Sequence, residues 1–149
     1  MKYILLYVLF SLSIMIADGQ ESSPNSEQTK AITSLIGKYS EAREKKDTIL
    51  LKKILTSDID QLVSSGEWRI GIQAAIGGMM NSSSNNPGTR TLTVEKIRMF
   101  GSTVAIADCR YEIQNGDGSI RKMWSSFFVV AENNLWKITA IRNMLPAAR

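Results

Sequence analysis

The stretch Thr103–Met144, TVAIADCRYEIQNGDGSIRKMWSSFFVVAENNLWKITAIRNM, decides the fold class. From Thr103 to Gln114 apolar residues take every second position, Ala105, Ala107, Cys109, Tyr111 and Ile113, with Asp108, Arg110 and Glu112 between them. A period of two marks a half-buried strand, because successive side chains leave it on opposite faces. Asn115-Gly116-Asp117-Gly118 then has the chemistry of a hairpin turn. Ser119–Ala131 and Asn134–Met144 repeat the β-branched and aromatic composition around Glu132-Asn133-Asn134, and upstream Leu92–Phe100 is set off by Gly101-Ser102. Four strands joined by connections too short for crossover helices form an antiparallel meander. In the last strand Trp136, Ile138 and Ala140 read as the covered set, Lys137 and Thr139 as the opposite face, and Arg142 falls by period on the covered side.

Such a sheet has one face to bury, and the N-terminal half supplies the cover. Between Glu27 and Lys46, Ala31, Ile32, Leu35, Ile36, Tyr39 and Ala42 recur at three-and-four spacing, which predicts an amphipathic helix capped by Ser26. Asp47 caps a second helix carrying Leu50, Leu51, Ile54 and Leu55. Asp58–Val63 alternates polar and apolar residues as a short strand or irregular connection, and Trp68, Ile70, Ile72, Ala75 and Ile76 predict a third helix ended by Gly77-Gly78. Asn81–Gly88, rich in Ser, Asn, Pro and Gly, reads as a loop. Helices first and strands second make the class α+β rather than doubly wound α/β. A long curved sheet wrapped round a helix leaves a hollow at its open end, and such hollows bind ligands.

The 149 residues are enough for one domain. With no histidine, the chain lacks the usual general base, the Ser-His and Cys-His pairs and the commonest zinc ligand. A single cysteine, Cys109, makes no internal disulfide and reads as a small buried hydrophobe. No Cys or acidic cluster has metal-ligand spacing, so neither a metal nor a cofactor is expected. The surplus of 18 Lys and Arg over 14 Asp and Glu is small and scattered, with Lys45-Lys46 and Lys52-Lys53 on solvated helix faces, so no nucleic-acid partner is expected.

Residues 1–19 have the three parts of a secretory signal: Lys2, an apolar run from Ile4 to Ile16, and the small residues of Ala17-Asp18-Gly19 before a cut after Gly19. An apolar run of about 14 residues reaches roughly 21 Å, against about 30 Å of hydrocarbon, which argues against a permanent anchor. The mature protein is expected to be periplasmic or secreted. Residues 20–25 read as a flexible leader, and the folded domain as 26–146.

The helix pair joined at Lys46-Asp47, the Asp58-Ile59-Asp60 stretch, Gly66–Gly71, Gly101 with Val104-Ala105, and Trp136-Lys137-Ile138 leading to Arg142-Asn143-Met144-Leu145-Pro146 resemble the SnoaL-like branch of the nuclear-transport-factor-2-like (NTF2-like) superfamily, more narrowly its uncharacterised DUF4440-type domains. The resemblance covers about Ser26–Pro146. It implies a cone-shaped, cystatin-like roll, often a homodimer through the sheet, with an apolar pocket at the wide end. Members include isomerases, polyketide cyclases, dehydratases and domains that only bind, so the resemblance does not settle activity. The His and Asp pairs of several enzymatic branches are absent here.

The resemblance singles out Asp58 and Asp60, where family enzymes often carry an acid at the pocket mouth; the alternative is a solvated turn. Tyr39 is either an oxyanion donor or a core residue with its hydroxyl at the edge. Asp108 faces either the hollow or a solvated ladder with Arg110. Trp68 and Trp124 are either walls for a flat ligand or packing residues, and Arg142 with Asn143 are the polar candidates for a ligand carboxylate or carbonyl. Two functions follow: an exported module that binds a small hydrophobic molecule, or a cofactor-independent isomerase, cyclase or dehydratase with an Asp base. A toxin-immunity or secretion accessory role stays open as a third.

Overall fold

The computed structural model describes residues 21–147. The expected signal sequence lies outside the described residues. Among those described, no helix is long and apolar enough to cross a membrane.

Three helices precede the long strands: α1 (Ser26–Glu44), α2 (Thr48–Ile54) and α3 (Ile72–Asn85). Asn25 rather than Ser26 caps α1. Its Oδ1 accepts the Gln28 N–H at 2.8 Å while Gln28 Oε1 accepts the Asn25 N–H at 3.0 Å, a reciprocal capping box. Asp47 caps α2 as expected, accepting from Ile49 and Leu50. The strands are β1 (Glu21–Ser22), β2 (Leu55–Leu62), β3 (Trp68–Ile70), β4 (Thr89–Phe100), β5 (Val104–Gln114), β6 (Ile120–Glu132) and β7 (Leu135–Met144). They form one sheet in the order β1-β4-β5-β6-β7-β2-β3.

The four-strand meander β4 to β7 is present as read, and it wraps the helices as the cone-shaped α+β roll. β2 joins its free edge beside β7 in parallel, so the sheet is not wholly antiparallel. β1 falls within the stretch read as a flexible leader and pairs with Met99 and Phe100 on the other edge. Trp68–Ile70, read as the start of a helix, is instead a strand that folds back on β2.

Helix α3 runs through Gly77-Gly78 to Asn85, which overturns both the glycine stop and most of the Asn81–Gly88 loop. Its buried side chains Ala75, Ile76, Met79 and Ser83 keep helical spacing across the glycines. That tertiary burial outweighs the roughly 1 kcal/mol that each interior Gly costs. A Cβ at Gly78 would stand 2.3 Å from Arg69 Nε, so a larger residue there would displace the Arg69 guanidinium.

The core joins Ile32, Ile36 and Tyr39 of α1, Leu51 of α2 and Met79 of α3 to Ala107, Cys109, Phe127, Val129, Ile138 and Ile141 of the sheet. Tyr39 meets Phe127 edge to face, with centroids 5.1 Å apart. A bulge in β7 sets everything beyond it. Ile138 pairs with Val129 and Ala140 with Phe128, leaving Thr139 as the extra residue. The bulge shifts the alternation by one position. Ile141 therefore points inward, while Ala140 and Arg142, read as the covered side, belong to the outer face.

Candidate functional site

The outer sheet face holds most of the candidate residues. Asp60 pairs there with Arg142, whose guanidinium lies 4.8 Å from the Trp68 ring centroid and 5.7 Å from that of Phe128. Asp108 is on the same face, accepting from Ser126 Oγ at 2.5 Å and paired with Arg98 at 3.2 Å. It belongs to a ladder that includes Arg110–Glu95 at 2.7 Å and Lys122–Glu112 at 3.5 Å. Trp124 stands in register with Arg110 and Met144, 44% exposed. Asp58 is exposed on β2. None of the candidates Asp58, Asp60, Trp68, Asp108, Trp124 and Arg142 lines the cavities described below.

The interior also departs from the apolar cup that the resemblance implied. Phe127, Met79, Met99, Ile32 and Ile36 are at most 1% exposed and fill the space between helix and sheet. What remains is a cavity of about 30 Å³ where α1 and α3 end, bounded by the β2–β3 hairpin, β5, β6 and the end of β7. Arg43, Gln61, Arg69, Tyr111, Arg121 and Asn143 line it, with Ser64, Ser82, Val63, Ile113 and Met123. Larger hollows lie outside this mouth. One of about 500 Å³ runs between α1 and β4, and one of about 350 Å³ between α1, α2 and the β6–β7 turn.

Arg43 dominates the mouth. It is 4% exposed, donates from Nη1 to Tyr39 Oη at 2.9 Å and from Nε to Ser83 Oγ at 3.2 Å. No carboxylate of the described residues pairs with it, although an isolated buried cation is costly. Burial pulls its pKa down, but the adjacent Tyr39 and Tyr111 oxygens outweigh burial and hold it above its ordinary value. Burial pushes the Tyr111 phenol up, with Arg43 opposing, so the phenol is neutral at pH 7. Arg69 is bound to Glu67 at 2.8 Å, and that hydrogen bond holds the Glu67 carboxyl below the usual carboxylate range.

Asn143 is the one candidate from the sequence that lines this cavity, its Oδ1 accepting from Ser125 Oγ at 2.7 Å. Its neighbour Arg142 leaves the strand on the opposite face, so the two do not act together. Tyr39 reaches the site only through Arg43. Arg43, Gln61, Arg69 and Arg121 were missed. For Arg43 the signal was present: it stands four residues after Tyr39 and extends the 32-36-39 stripe, so a cation lies on the buried face. Among the described residues no three of His, Cys, Asp and Glu are close enough together to hold a metal ion.

No family model matches this sequence, and no curated protein resembles it. Solved structures do. A domain of unknown function with a cystatin-like fold from Nostoc punctiforme superposes with a TM-score of 0.74 at 13% identity, over 84% of this chain and 81% of that one. An NTF2-like protein with a cystatin-like fold from Novosphingobium aromaticivorans gives 0.71 at 16%, over 83% and 84%. An NTF2-like protein of unknown function from Shewanella oneidensis gives 0.65 at 18%, over 78% and 98%. The chain has the NTF2-like, cystatin-like fold.

Proposed function

We propose that this NTF2-like fold serves as a non-catalytic binding domain, exported from the cytoplasm, that takes a small molecule at the mouth beneath Arg43. The observation that carries the reading is the furnishing of that cavity. Its side chains are chiefly hydrogen-bond donors, and Asp58, Asp60 and Asp108 are not among them. An Asp general base needs its carboxylate within hydrogen-bond reach of the substrate, so the isomerase, cyclase or dehydratase reading with an Asp base has less support. The cavity's size and polarity favour a polar group of the ligand inside, with any apolar body resting at the rim, rather than an apolar molecule swallowed whole.

A homodimer through the outer sheet face accompanies this reading. Exposed Trp124 and Met144 stand in register with each other on that face, beside the Arg110–Glu95 ion pair, an apolar patch with a charged neighbour.

The test is nuclear magnetic resonance of the labelled chain against a small-molecule fragment set. The side-chain amides of Gln61 and Asn143 are the reporters. Fragments that shift both amides saturably support binding at the mouth. A fragment set that leaves both unmoved while binding in the α1–β4 hollow overturns it.

A further inference from the structure

Resting on that reading, we infer that the mouth recognises a carboxylate: the ligand is a small organic acid, or a larger molecule that presents a carboxylate head between Arg43, Gln61, Asn143 and Arg121.

Charge is the first argument. Three guanidinium groups line the cavity and only Arg69 has a carboxylate partner, Glu67, which is on the outside of the β2–β3 hairpin at 55% side-chain exposure. Arg43 and Arg121 have no acid among the described residues, and Arg43 is almost wholly buried. A desolvated cation raises the affinity of its cavity for an anion, because the partner restores what hydration no longer supplies.

Donor inventory is the second. Arg43 spends Nε on Ser83 and Nη1 on Tyr39, and among the described residues no hydrogen bond engages Nη2. Asn143 accepts from Ser125 through Oδ1, and Gln61 accepts from Arg69 Nη1 at 3.4 Å through Oε1, so each amide has its acceptor satisfied and its NH₂ unengaged. Unused donors from α1, β2 and β7 thus meet at one cavity, and an ionised carboxylate is acceptor-only.

Size is the third. About 30 Å³ admits roughly one water-sized group. A planar carboxylate head fits that scale better than a tetrahedral phosphate, and the rest of the ligand extends past exposed Arg121 toward solvent. Arg43 also borders a cleft of about 170 Å³ with Glu44, Lys46 and Arg90. The Glu44 carboxylate makes that side the poorer place for an anion.

The experiment uses the chain expressed from its first residue and purified from whichever fraction holds it. Sodium acetate, butyrate and benzoate are compared with acetamide, butyramide and benzamide at matched ionic strength, with inorganic phosphate as a third arm. Thermal unfolding and calorimetry are the readouts. The carboxylates are expected to raise the melting temperature saturably and to outbind their amides about tenfold or more, as charge-assisted hydrogen bonds require. Arg43→Met is expected to abolish the preference, and Arg121→Gln, at an exposed position, to weaken it without affecting the fold. Lys46→Gln, in the cleft on the other side, is expected to change nothing. Amides that bind as well as acids overturn the carboxylate but leave a binding mouth. Phosphate that binds while carboxylates do not overturns the choice of anion. A wild-type affinity in Arg121→Gln together with a loss in Lys46→Gln moves the site to the cleft and overturns the placement. If none of the probes binds, the inference falls, whereas the binding domain itself falls only on the fragment experiment.

Discussion

Replacing Arg142 by alanine tests whether the Asp60–Arg142 pair is a strut or part of a reaction centre. The guanidinium joins four strands: it pairs with Asp60 of β2, lies over Trp68 of β3 and Phe128 of β6, and donates to the Ile141 carbonyl within β7 at 3.0 Å. Side-chain exposures of 27% and 36% leave the ion pair well screened, which limits it to about 0.5–1 kcal/mol. Each ring contributes about 0.5–1 kcal/mol at such exposure. Arg142→Ala is therefore expected to cost about 2 kcal/mol, or roughly 8 °C in melting temperature for a domain of this size. Arg142→Lys keeps the charge but loses the flat stack, and is expected to cost about half as much. A double-mutant cycle with Asp60→Ala isolates the pair. Its coupling should be about 0.5–1 kcal/mol at low salt and should shrink in 1 M NaCl, where the screening length falls to about 3 Å, while the ring contribution persists. Urea titration followed by tryptophan fluorescence reads all of these. An Arg142→Ala protein as stable as wild type, or a coupling that salt does not change, would refute the strut.

Three further outcomes follow from local features. Burial, helped by Asp108 and Glu95, pushes the Cys109 thiol from 9.0 up to about 12. Because the unfolded chain gives up that proton first, the contribution is complete below pH 9 and is lost as pH rises toward 12, about 2 kcal/mol of it by pH 10.5. Urea midpoints of wild type and Cys109→Ala should converge over that range, and parallel curves would rule the buried thiol out as the cause. Asn25→Ala removes the capping box of α1 and should lower stability by about 1 kcal/mol, measured as loss of helical circular dichroism on heating. Gly88 has φ +155°, and a Cβ there would fall 2.6 Å from the Gln114 carbonyl oxygen, a backbone atom that cannot step aside. Gly88→Ala should cost about 3 kcal/mol through strain at the start of β4, and a fully stable variant would show that the contact is not tight.

The meander was legible because its signal is local. Alternation in Thr103–Gln114, turn residues at Asn115–Gly118 and the stripe on α1 each determine an element without help from the rest of the chain. Where the reading failed, a distant contact outvoted local preference. Two adjacent glycines look like a helix end until Met79 and Ser83 are seen to be buried beyond them, the latter against Arg43. Trp68–Ile70 has no strand pattern of its own, and only the antiparallel partner Asp60–Leu62 makes it one. The parallel join of β2 to β7 connects residues about eighty positions apart, which no periodicity reports.

The site was less legible than the fold, and one residue explains much of the difference. Alternation assigned Arg142 to the interior because Trp136, Ile138 and Ala140 keep a period of two, but an extra residue at Thr139 reverses the assignment for everything after it. The reversal turns Arg142 out to Asp60 and Trp68 and turns Asn143 in to the mouth. Neither Thr139 nor its neighbours have a bulge signature such as glycine, so the inversion had to be seen in the register. Arg43 was legible from helical spacing alone. A helix face that buries Ile32, Ile36 and Tyr39 buries position 43 as well, and a cation there demands a reason. Its hydrogen bonds to Tyr39 and Ser83 offset part of the burial, but methionine would fill the same space without desolvating a charge. The cost of keeping an arginine under the sheet is thus best explained by something negative that comes and goes at the mouth, and Arg43→Met should make the ligand-free protein as stable as wild type or more so. If thermal unfolding in ligand-free buffer instead shows a large loss, the hydrogen bonds to Tyr39 and Ser83 are reason enough for the arginine, and the case for an anion rests on the binding measurements alone.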